Sequence, residues 1–257
     1  MRNDTVKRVG IRLLLPLVIV TTWWVTSAGS TSPFYPPLAE ILESFRDTWI
    51  FSRVGTDVIP SLRRLLVALV LATVIGVAAG MALGRSRRLA QAFNPAIQFG
   101  RSVPGTALVP ISVLLFGIGD GAKTVVIGFV CVFPILLNTI DAVRGVDPQL
   151  EDVARTFRLS RAQRLIHILL PASAPQIMAG VRTALGIGFI MMVITELYAA
   201  ANGIGFVTMS ARNAFDVPQM WAGTVLLGLL GVTLSTLFVL AERHILRWHT
   251  RMTEKDQ

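Results

Sequence analysis

Only one cysteine, Cys131, occurs in the 257 residues, so no disulfide can close within the chain. Histidine is nearly as scarce. His167, His244 and His249 are the three, none spaced as HExxH or beside a cysteine pair, so a metal centre has no donor set. No nucleophile and base converge anywhere in the pattern, which argues against a polytopic membrane enzyme. Charge is thin at 15%, and acids are the scarcer kind, with 15 against 24 lysines and arginines. An adjacent Gly-Lys is missing as well. The stretch Gly117-Ile-Gly-Asp-Gly-Ala-Lys-Thr124 imitates a phosphate-binding loop, but Ala122 stands before Lys123 and no strand precedes it. It reads as a tight turn.

What the chain has in excess is apolar length. Hydrophobic residues make up 53%, and the mean hydropathy is +0.63. Several runs are long enough to cross a bilayer. The fold class expected is all-α, a single membrane domain over 1–257 with six spans and no second soluble domain. The spans fall at about 11–29, 62–84, 96–117, 123–142, 175–200 and 220–241. The net charge of +9 would suit nucleic acid, yet the lysines and arginines flank apolar runs. Orientation in a lipid bilayer explains them better, and no nucleic-acid partner is expected.

Along the chain, Arg2, Lys7, Arg8 and Arg12 before the first span, with Ser27 and Ala28 after it, imitate a secretory signal. The length of the run, with Trp23 and Trp24 at mid-span, favours a retained anchor. Leu38, Ile41, Leu42, Phe45 and Trp49 form one apolar face, expected to lie in the membrane interface plane. Gly76, Gly80 and Gly84 continue a stripe begun by Ala68 and Ala72, a small-residue face for close helix packing. The third span is irregular, with Gln98, Arg101, Ser102, Pro104, Gly105 and Pro110. Broken backbone at membrane depth is tolerated only beside protein or a wet cavity. Residues 102–110 therefore read either as pathway lining or as a proline-kinked packing helix, with equal weight.

The pathway candidates are Ser102, Pro104, Thr106, Pro110, Ser112, Asn138 and Glu196. Asn138 serves equally as a bond to a neighbouring helix. Glu196 is expected near the far face as an interfacial or gate residue. A secondary transporter driven by an ion gradient would keep such acids at mid-membrane, and so is the second reading. Asn202-Gly-Ile-Gly205 reads as a turn followed by a polar loop.

Eighteen of the twenty-four lysines and arginines fall on the side that holds both ends and the 143–174 segment. That bias puts both termini in the cytoplasm. Lys123 belongs to the other side with Arg63 and Arg64, which are expected to snorkel to headgroups there.

The polar segment 147–171 is the part a soluble partner would grip. Asp147 can cap a helix opening at Pro148, with Glu151 and Asp152 near its positive dipole end. Arg155, Arg158, Arg161 and Arg164 step round the following turns, and Pro171 and Pro175 are expected to break the helix and start the next span. From Asp152 to Gly180 the sequence resembles the EAA loop of permease subunits of bacterial ABC importers. Asp152, Val153, Ala154, position 158 and Leu170-Pro171 meet that pattern in order. Leu115-Phe-Gly-Ile-Gly119, Phe133-Pro-Ile135, Asn138-Thr139 and Val146-Asp147 resemble the branch for nitrate, alkanesulfonates and taurine. One departure is large: Arg158 stands where the family has glycine, a residue that permits positive φ.

The resemblance implies a coupling helix docking on a separate ATP-binding subunit, present in two copies. Asp152, Val153, Ala154, Arg155, Arg158, Leu159, Ser160, Arg161 and Arg164 would make the contact, with Pro171 tying it to the span. It also implies a second copy of the chain, a periplasmic or lipid-anchored substrate-binding protein at outer loops 30–60 and 201–219, and a place in the bacterial inner membrane. No cofactor or enzymatic activity of the chain itself is implied. Arg158 is expected to turn with ordinary φ and to meet an acidic patch on the ATPase.

Overall fold

The computed structural model describes residues 2–50 and 52–247. His249, Arg251 and Lys255 lie outside the described residues. Among the described residues there are eleven α-helices and no strand. They are α1 (Arg2–Ser27), α2 (Leu38–Phe45), α3 (Ile59–Arg85), α4 (Arg87–Ser102), α5 (Leu108–Phe116), α6 (Asp120–Arg144), α7 (Pro148–Thr156), α8 (Arg161–Arg164), α9 (Leu170–Tyr198), α10 (Ile204–Asn213) and α11 (Val217–Ile245).

Four helical stretches are long and apolar enough to cross a membrane: Val54–Arg85, Asp120–Arg144, Arg161–Tyr198 and Val217–Ile245. A fifth is formed if Arg87–Ser102 and Gly105–Phe116 count as one span, bent by 76° at the break. The apolar part of α1, Leu14–Ser27, is shorter.

Helix α6 is the centre of the bundle, with α3 along one side and α9 along another. Leu65, Ala68 and Ala72 of α3 meet Ile127, Cys131 and Ile135 of α6, and Ala184 and Met192 of α9 complete that core. Small residues set the approach on both sides. Gly76, Gly80 and Gly84 lie against Ile135, Thr139 and Val143; a Cβ on Gly80 would come 2.7 Å from the Thr139 methyl. On the other side a Cβ on Gly188 would come 2.7 Å from Cys131 Sγ. Arg85, Arg144 and Arg164 gather at one end of this bundle, called the basic end below. Residues 54–64, Asp120 and Glu196 lie at the opposite end.

In the packing of its helices the structure departs from the sequence reading in four places. The apolar face of α2 is spent on protein, not on a membrane interface: Leu38, Ile41 and Trp49 are buried with Ile204, Val207 and Ala222. The supposed polar loop after Asn202 is α10, whose Ile204, Val207 and Ala211 are buried at helical spacing. Trp23 lies near the end of α1, not at mid-span, and its ring sits 5.6 Å from that of Trp221 in the first turn of α11. Finally, Pro171 and Pro175 do not interrupt the chain, which is helical from Arg161 to Tyr198. A widened turn at Leu165–Leu169, closed by Leu170 N–H on Leu165 O, precedes Pro171 and absorbs its missing donor.

Candidate functional site

The segment at the basic end is built by its caps. Asp147 Oδ1 accepts the Gln149 N–H at 2.9 Å, and Pro148 opens α7 as expected. At the other end Arg158 N–H bonds Arg155 O and Leu159 N–H bonds Ala154 O, the paired bonds of a Schellman closure. That closure requires a left-handed residue, and Arg158 supplies it at φ +51. The expectation of ordinary φ is therefore wrong, and the glycine habit of the resembled family has its physical reason here. Ser160 then forms a capping box with Gln163, and Arg164 Nε donates to Leu159 O at 3.1 Å. Ala154 is buried, whereas Leu150, Val153 and Phe157 share one outward face, with Phe157 74% exposed. Asp152, Arg155 and Arg161 are exposed beside it.

The pathway candidates do not come together. Asn138 donates to Pro134 O at 2.8 Å and accepts from Gln176 at 2.9 Å. It lines a cavity of about 340 Å³ with Arg101, Phe129 and Phe133. Thr106 and Pro110 line a second cavity with Ile194 and Tyr198. Ser102 is tied to Gln98 O and Ser112 to Val109 O, and Pro104 is exposed at the break. Glu196 belongs with none of them.

Glu196 is instead the centre of a buried ionic cluster at the opposite end. Its side chain is 0% exposed. Glu196 Oε1 accepts from Arg64 Nη1 at 2.7 Å, with the Ser61 hydroxyl also 2.7 Å away, and Oε2 accepts from Gly205 N–H at 3.1 Å. Arg64 continues to Asp120 Oδ1 at 2.6 Å and to both oxygens of Asn202. Asp57 Oδ1 accepts from Gly203 N–H at 2.8 Å, so the chain entering α10 is bonded directly to the helical stretch ahead of α3. Gly203 has φ +120, and a Cβ there would lie 2.6 Å from both Glu196 carboxylate oxygens.

Arg64 therefore does not snorkel, and Lys123 is also buried, 4.0 Å from Asp120. Arg63 alone of that group is exposed. A buried charge left unpaired is costly, so the depth of Arg64 follows from Glu196 facing it. A signal for this existed in the sequence: two opposite charges stand at matching depth, a few residues inside the same end of two spans.

These features define a helical membrane protein with a capped, arginine-rich segment at one end, a broken span, and no catalytic constellation among the described residues. Residues 72–250 match the family described as binding-protein-dependent transport system inner membrane component. The chain belongs to that family, and is a permease component of an ABC importer, not the ATP-hydrolysing part. The taurine transport system permease protein TauC of Escherichia coli is 30% identical over 90% of this chain and 87% of its own length. The nitrate import permease protein NrtB of Synechococcus elongatus is 31% identical over 92% of this chain and 91% of its own. The putative aliphatic sulfonates permease SsuC of Bacillus subtilis is 29% identical over 92% and 86%. Among solved structures, the inward-facing MetNI methionine ABC transporter aligns with a TM-score of 0.64 at 20% identity, covering 74% of this chain and 93% of that chain. That likeness supports the fold.

Proposed function

We propose that this chain carries a small anion of the sulfonate, taurine or nitrate kind across the bacterial inner membrane. In this reading α1, α3, the bent pair α4–α5, α6, α9 and α11 make six crossings, and both termini and the basic end face the cytoplasm. Two copies pair around the path. A substrate-binding protein delivers solute at the opposite end, and two ATP-binding subunits grip α7 and α8.

The observation that carries the coupling role is the exposed Leu150–Val153–Phe157 face, held rigid between an Asp147 cap and the Arg158 closure. An exposed aromatic on a capped helix, ringed by arginines, has the composition of an interface anchor. The relatives are named for sulfonates, taurine and nitrate, and this supports the substrate class. An ion-driven transporter is not favoured, because the one deeply buried acid of α9 is locked to an arginine and cannot cycle freely.

Co-purification tests the coupling. Phe157→Ala should reduce the recovered ATP-binding subunit at least tenfold, with the membrane chain still monodisperse. Equal recovery would remove α7 from the contact.

A further inference from the structure

We infer that Arg101 is the anion-selecting group of the translocation path. This rests on the permease reading above and goes beyond it, because the sequence-derived pathway residues are all neutral except Glu196, which is locked away. Depth comes first. Gly100, the neighbour of Arg101, packs against Phe133, where an added Cβ would lie 2.6 Å from the ring. Phe133 stands thirteen residues from Asp120 and eleven from Arg144 in α6. At 1.5 Å per residue these are about 20 Å and about 17 Å of helix, so Arg101 is at mid-depth. Arg101 also stands fourteen residues into α4, which starts at the basic end with Arg87, about 21 Å along that helix.

The second observation is that Arg101 is exposed and has no hydrogen bond or ion pair among the described residues. Arg182, the arginine within α9, is paired with Glu242. An arginine at mid-bilayer is costly unless it is solvated, and such residues face a wet cavity or a pathway. Headgroups lie too far for its side chain to reach by snorkelling.

The third is the company it keeps. The cavity of about 340 Å³ is lined by Arg101 of α4 and, from α6, by Asn138 and the edge-packed Phe129–Phe133 pair, whose ring centroids are 5.1 Å apart. Asn138 is oriented by Pro134 O and Gln176, and its amide keeps a second N–H to offer. A guanidinium fork, an amide donor and an aromatic wall suit a small oxyanion with a short or absent apolar tail. The volume is at the low end of the ~300–1,000 Å³ of small-molecule sites.

The test uses the assembled transporter, this chain with its ATP-binding subunit and binding protein, in proteoliposomes. Labelled taurine, ethanesulfonate and nitrate are the probes. Wild type should accumulate at least one. Arg101→Gln should lower that uptake at least tenfold, Arg101→Lys should recover a substantial part, and both variants should still assemble. Arg101→Cys should react with a water-soluble anionic thiosulfonate, since native Cys131 is buried. Unchanged uptake in Arg101→Gln, failure of lysine to rescue, or an unreactive Arg101→Cys would each overturn the inference. Wild type that accumulates none of the three, while the binding protein still stimulates ATP hydrolysis, overturns the anion and leaves the permease. Absence of that stimulation in wild type overturns the permease reading itself.

Discussion

A left-handed arginine stores strain at the end of α7. Non-glycine residues in that region cost about 1–3 kcal/mol, and the paired Schellman bonds hold Arg158 at φ +51. Arg158→Gly should therefore raise the thermal stability of the purified chain by about 1 kcal/mol. If its charge also meets an acidic partner, the same variant should hold the ATP-binding subunit less well at low salt. Capture that does not change at low salt would leave the arginine with a conformational cost and no electrostatic role. At the other end, Glu196→Gln should destabilise the protein by about 1–3 kcal/mol, because it removes the fully buried counter-charge of Arg64 while Asp120 and Asn202 still hold the guanidinium. Arg64→Met combined with Glu196→Met should cost less than the sum of the two single changes, as a thermal double-mutant cycle would reveal. Neither arginine's conformation was readable from composition. Arg158 departs from a glycine habit in a way that could mean either a different turn or the same turn under strain, and only the backbone decides.

Among elements, α6 is the one whose two sides are both closely approached, and its neighbours' glycines set that spacing. Gly80→Val should force α3 away from Thr139 and cost about 1–3 kcal/mol. Gly228→Val in α11, where nothing lies within 4 Å, should cost far less; comparable melting losses would dissolve the distinction. The small-residue stripe, the Asp147 cap and the long apolar runs were legible because each is a local pattern with a local cause. Helix α10 was hidden by Asn202-Gly-Ile-Gly205, whose turn signal is real but ends at Gly203, where α10's own apolar spacing begins. The proline pair misled for a related reason. A widened turn upstream removes the conflict that proline creates, and nothing in hydropathy announces such a turn. The three-way scatter of the pathway candidates was equally invisible, since small polar residues that bond their own helix look the same in sequence as those that line a cavity.

At the scale of the whole molecule, one continuous helical stretch from Arg161 to Tyr198 passes the full depth of the bundle, about 57 Å at 1.5 Å per residue. Its near end follows directly on the capped segment, and its far end carries Glu196, which holds the entry to α10 through Gly205. Gly186 sits near the middle of α9 with open space around it, so a proline there breaks the helix without a Cβ clash. Gly186→Pro should leave the complex assembled and hydrolysing ATP while abolishing uptake. Retained uptake would mean that the two ends act independently. The unbroken column has a further consequence for timing. In the proposed arrangement, a stiff strut shared by the grip at one end and the Gly203–Gly205 seam at the other leaves no interval between them, so a nucleotide event at the first and the tightening or slackening of the second would be a single stroke seen from two sides.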